Sequence, residues 1–155
     1  MDFEPGWAVV SGLVGGAVLM AVVYMGIFMM PRQMKMNILL LLGTMAVPAG
    51  ALAYVLGLMM HAGASAVFGL IHIGVFQGLD VEPNAAWGLL FGLVHWAVAG
   101  MAMGMMPIMH PRIRSGEMAA PGPFALGYPP LTAVGFLMVH LIYGVLVGGL
   151  YGALA

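Results

Sequence analysis

Residues 12–31 read GLVGGAVLMAVVYMGIFMMP, and residues 88–107 read GLLFGLVHWAVAGMAMGMMP. Aligned without a gap, ten of these twenty positions are identical: Gly12/Gly88, Leu13/Leu89, Gly16/Gly92, Val18/Val94, Ala21/Ala97, Val22/Val98, Met25/Met101, Met29/Met105, Met30/Met106 and Pro31/Pro107. The apolar stretch after each copy aligns as well. Leu52, Val55, Leu58, Met59, His61 and Gly69 fall on Leu131, Val134, Leu137, Met138, His140 and Gly148. The chain therefore reads as one transmembrane domain over 1–155, built from two copies of a two-helix unit, residues 6–79 and 82–155. A unit with an even number of spans inserts both copies the same way round, so the copies should be parallel repeats about an axis along the membrane normal. Alternating-access transporters more often use inverted repeats, which weakens the case for a secondary transporter.

Composition sets the class. The chain is 63% hydrophobic and 6% charged, a surface that water could not solvate on a soluble domain of this size. Segments 7–30, 49–76, 86–106 and 131–154 are each long enough for the roughly 20 apolar residues that a spanning helix needs. None of them contains Asp, Glu, Lys or Arg. The expected fold is all-α: a polytopic membrane protein with four spans and a short interfacial or re-entrant helix near 38–47. That segment is too short to span alone, and Pro48 separates it from the next helix. Splitting 38–78 into two spans would give five. Cysteine is absent, which excludes disulfides, thiolate metal sites and thiol catalysis. Net charge is −1, with no basic surface for nucleic acid.

Charge placement favours four spans. Arg32 and Lys35 follow span 1, and Arg112 and Arg114 follow span 3. Asp2, Glu4, Asp80 and Glu82 lie at the opposite ends, and only Glu117 breaks the pattern. With four spans every basic residue falls on one side, which the positive-inside rule makes cytoplasmic, and both termini are external. Acids rather than a positive region precede span 1, so it is not read as a cleavable signal peptide. The stretch 108–130, rich in Pro and Gly, reads as an irregular, mobile loop.

Four histidines lie inside the spans. His61, His95 and His140 fall near mid-depth, and His72 lies nearer the external face. His61 and His140 share a repeat position, whereas His95 aligns with Leu19. Intramembrane ionisable residues are functional candidates. Two imidazoles at one depth can ligate haem axially, and three can hold copper or zinc. The plainer reading is a neutral imidazole bridging helices by hydrogen bonds. Seventeen residues are Met. Met25/Met29 and Met101/Met105 are i, i+4 pairs at equivalent repeat positions, and thioethers suit Cu(I). Met also fills gaps as a flexible apolar side chain. Small residues at four-residue spacing, among them Gly144, Gly148 and Gly152, allow close helix packing, either inside one bundle or onto a second copy or a larger membrane complex. No carboxylate lies in a span for a proton relay. Ser11 and Ser65 have no nucleophile–base partners, so an enzyme is the least supported class.

The stretch HLIYGVLVGGLYG at 140–152 resembles the last helix of small four-helix prokaryotic membrane proteins of unknown function, and GLMMH at 57–61 is similar to their second helix. The resemblance implies four spans in a prokaryotic cytoplasmic (inner) membrane and no particular activity. His72, His95 and the Met clusters fall outside its pattern.

Overall fold

A computed structural model describes residues 3–155, so Asp2 lies outside the described residues. Helices α1 (Pro5–Met29), α3 (Ala51–Gly78), α4 (Ala85–Gly104) and α7 (Pro130–Leu154) are the long elements. Between them lie three short ones, α2 (Ile38–Gly43), α5 (Met106–Met109) and α6 (Pro111–Arg114). The long helices have 25, 28, 20 and 25 residues, each long and apolar enough to cross a bilayer. No strand occurs among the described residues. This is the architecture of a multi-pass helical membrane protein.

The helix starts follow local chemistry. α1 and α7 carry Pro in the first turn, where a missing N–H costs nothing. At α4, Asn84 Oδ1 accepts from the Ala86 and Trp87 N–H groups at 2.9 and 3.0 Å. At α2, Asn37 Oδ1 accepts from Leu40 N at 3.1 Å and from the Tyr24 hydroxyl at 2.7 Å, while its amide donates to Tyr54.

Two glycine crossings build the bundle. A methyl group on Gly12 would stand 3.0 Å from the Gly69 Cα, and one on Gly88 would stand 3.3 Å from the Gly148 Cα. These pairs occupy positions that align in the two sequence copies. Both crossings are antiparallel: Gly12 meets Gly69 while Gly16 meets Ser65, and Gly88 meets Gly148 while Gly92 meets His140. α7 also runs antiparallel to α1, with Tyr143 against Gly15 and the Tyr151 hydroxyl accepting from Glu4 N at 2.9 Å. α1 and α4 therefore point the same way, as do α3 and α7. Gly144, Gly148 and Gly152 all turn toward the α4 side, against Gly92, Gly88 and Pro83 respectively. This is the packing inside one bundle that their four-residue spacing allows, with backbone contact where side chains are missing.

All four basic residues lie at the end formed by the 30–50 and 105–129 connections. α2 folds back along the start of α3: backbone at Leu39 and Ala53 fills the space that side chains on Gly57 and Gly43 would take. The second connection differs from the mobile loop expected of its Pro and Gly content. Phe124 and Ala125 adopt positive φ, 53° and 61°, which turns the Phe124 ring onto Gly100 and to 4.8 Å from Trp96. Ala125 and Pro121 are fully buried. Packing of the half-buried Phe124 ring offsets part of the strain of these two left-handed residues, of order 1–3 kcal/mol each.

Candidate functional site

The packed interior splits in two. Ala8, Ile73, Phe76, Tyr143, Val147 and Tyr151 form a core toward the termini, and Met36, Met103, Ala125 and Phe136 form one at the basic end. Between them lies a cavity of about 340 Å³ walled by α1, α2, α3, α4 and α7. No lining residue carries a charged side chain. Its polar members are His61, Ser65, His95, His140 and Tyr143. The exposed lining residues are Ala64 on α3 and Val98 and Ala102 on α4, so the opening lies between those two helices. Their backbones make no extended contact. Across the rest of the gap rings from the two helices meet: Phe68 stacks on His95 at 4.0 Å and Phe76 meets Phe91 edge-on at 4.8 Å.

The histidines form a run. His95 lies 5.3 Å from His72 and 4.9 Å from His140, ring centre to ring centre, with Tyr143 within 5.6 Å of His95. His72 Nδ1–H donates to Phe68 O and His140 Nδ1–H to Phe136 O, both at 2.7 Å. A carbonyl only accepts, so in the neutral ring the proton is on Nδ1 and the lone pair on Nε2. His72 Nε2 and His95 Nδ1 are buried without a partner. His61 Nε2–H donates to Gly16 O at 3.2 Å across the first glycine crossing.

Of the three histidines expected to form a site, His95 and His140 are therefore brought together, and His61 shares their cavity but not their ring contacts. His72, which the sequence places nearer the external face, takes its place in the run. Tyr143 and Phe68 went unremarked in the sequence. The signal for them was present: Tyr143 is three residues from His140 and Phe68 four from His72, spacings that share a helix face. Met25, Met29, Met101 and Met105 are 52 to 67% exposed on the outer surface of the bundle. One pair sits on α1 and the other at the C-terminal end of α4, and these two helices make no extended contact. The methionines that line the cavity are Met36, Met103 and Met106.

His110 knits the basic end together. It is fully buried, its Nε2–H donates to Leu41 O at 2.9 Å, and its Nδ1 accepts from Ile113 N at 3.4 Å. Thr44 Oγ1 lies 3.3 Å from the same Nε2. Arg112 pairs with Glu117, which explains the one acid at this end. Hydrogen bonds from Ser115 and Arg112 hold the Glu117 carboxyl below its ordinary value. Burial pushes the Tyr128 phenol up.

Fold and site together define a multi-pass helical membrane protein with an apolar, imidazole-walled cavity. Comparison with known proteins finds no matching family, no similar curated protein and no similar solved structure.

Proposed function

We propose that the chain is a non-enzymatic four-helix protein of a prokaryotic inner membrane, free-standing or an accessory subunit, that receives a small apolar molecule from the bilayer. One observation carries this reading: a cavity of about 340 Å³ opens sideways between two apolar helices, at Ala64, Val98 and Ala102. That volume lies within the range of roughly 300–1,000 Å³ usual for small-molecule sites. The ten sequence identities and the matched glycine crossings support descent from a duplicated two-helix unit, and the four basic residues at one end support external termini. Gap and cavity then arise where the copies differ, because α1 packs on α7 but α4 does not pack likewise on α3. The apolar walls argue against a hydrated channel.

The test is a plugged mouth. Ala64→Phe places a ring at an exposed rim position, so it fills the opening without entering a packed core. Protein purified in mild detergent is extracted and its bound apolar molecules are identified by mass spectrometry. The proposed role requires species enriched over empty micelles with the unsubstituted protein and lost with Ala64→Phe. Equal recovery from both would reject it.

A metal site is a second reading, favoured by the imidazole run. Two imidazoles on one tetrahedral ion, with metal–nitrogen bonds of about 2.0–2.1 Å, have ring centres about 5.2 Å apart. The observed spacings are 5.3 and 4.9 Å. Among the described residues no three donors stand disposed around one point, so a third ligand would need a side-chain rotation. Haem fits less well. Axial imidazoles lie on opposite faces of the macrocycle, whereas His95 and His140 meet edge to face with no slot between them. Stoichiometric copper or zinc that is lost in His95→Leu would support the metal reading. A metal-free protein with no absorbance from a chromophore would reject both.

A further inference from the structure

The cavity's hydrogen-bonding capacity is lopsided. Four of its five polar side chains have already spent their only proton on a backbone carbonyl. His61 Nε2–H donates to Gly16 O at 3.2 Å, Ser65 Oγ–H to His61 O at 2.8 Å, Tyr143 O–H to Ser65 O at 2.6 Å and His140 Nδ1–H to Phe136 O at 2.7 Å. What these groups retain is lone pairs: Nδ1 of His61, Nε2 of His140 and the two hydroxyl oxygens. His95, with one ring proton and one lone pair, is the exception. Neither of its neighbours in the run, His72 and His140, has a second proton to offer it.

A guest with only acceptors, such as a ketone or an ether, would find at most the single His95 N–H among several lone pairs in an apolar box, a costly arrangement. A guest carrying a neutral donor would find partners at several positions. A cation of ammonium type finds no carboxylate among the lining residues. We infer that the cavity selects neutral lipophilic molecules bearing a hydroxyl group, such as phenols and hydroquinones, over their ethers and ketones. The rings of Phe68, His95, Phe136 and Tyr143 line the cavity and suit an aromatic body. This inference rests on the cavity being a binding site for an apolar molecule.

The test uses 2-naphthol and its methyl ether, 2-methoxynaphthalene, which differ in the donor and little in shape. Binding is measured by equilibrium dialysis against the detergent-solubilised protein, with Ala64→Phe as the control for partition into micelles. The expected result is at least a tenfold preference for the naphthol, absent in Ala64→Phe. His140→Phe removes one acceptor and should reduce the preference. If that variant does not fold, the two ligands on the unsubstituted protein still decide. Equal binding of both, abolished by the plug, would overturn the donor selectivity and leave the cavity reading standing. A preference for the ether would overturn it likewise. Binding of neither ligand beyond the plugged control would overturn both.

Discussion

Adding one methyl group at Gly144 should separate two helices. The side chain of Gly144→Ala would stand 2.7 Å from the Gly92 Cα and 2.8 Å from the Gly92 nitrogen, and closer still to the Gly88 carbonyl oxygen. All three are backbone atoms, so no rotamer can move them aside. Restoring ordinary contact of about 3.5 Å requires α4 and α7 to part by roughly 1 Å. Overpacking of this kind costs about 1–3 kcal/mol, and it acts on the crossing that also seats Gly88 on Gly148. Gly63 and Gly74 provide the contrast, since a methyl group at either meets nothing within 4 Å. There, alanine should be neutral or stabilising by up to ~1 kcal/mol, from helix propensity alone. Thermal unfolding in one detergent, followed by circular dichroism at fixed protein concentration, reads the sign directly. At roughly 2–4 °C per kcal/mol, Gly144→Ala should lower Tm by several degrees, while Gly63→Ala and Gly74→Ala leave it level or raise it. An unchanged or raised Tm for Gly144→Ala would show that α4 and α7 are not in backbone contact. A change in oligomer size with Tm held would mean that the glycine ladder faces another chain.

Gly12→Ala and Gly88→Ala should destabilise by similar amounts if the two crossings are equivalent, and a neutral effect at only one would break that equivalence. Tyr143→Phe removes the 2.6 Å hydrogen bond to Ser65 O and should lower stability by about 0.6–2 kcal/mol with the helical content intact, as thermal unfolding can check. Reporter fusions should place residue 155 outside the cell and residues 112–118 inside, and an external 112–118 loop would refute the four-span topology. The Glu117 carboxyl lies below its reference value of 4.5, so its ion pair contributes fully above that pH and is lost as pH falls through the lower folded value. Proteolysis of the 111–118 segment should therefore quicken only in acid below that reference value, with the spans unaffected.

Span number, span limits and the glycine crossings were legible in the chain because each rests on a local rule. Apolar length sets a span, Pro31 and Pro107 follow helix ends, and paired glycines mark backbone contact. Side-chain direction was much less legible. In water an apolar stripe shows which way a helix faces, but a helix in lipid is apolar all round, and only polar residues mark its inner face. The histidines were such markers, and His61, His95 and His140 all line the interior cavity. The Met25/Met29 and Met101/Met105 pairs carried no such information, since a thioether is as much at home against lipid as in a core. The packing of 108–130 was hidden for another reason. Its Pro and Gly residues announce turns, yet its order comes from Phe124 settling on Gly100, a contact with no local signature.

The bond between His110 and Leu41 has a bearing on how the molecule is made. It joins residues 69 positions apart, and α2, which it holds, is part of the cavity's floor. The first hairpin can close its own glycine crossing as soon as α3 is synthesised. Its α2 segment, however, then waits for a partner that arrives only after α4 has been threaded into the membrane. During that interval the buried face of α2, with Leu41 and Thr44, is open to whatever surrounds it. Covalent order thus sets one constraint on assembly: the basic end cannot be sealed before His110 has been made. A chain truncated before His110 would leave Leu41 O without this partner and the basic end open.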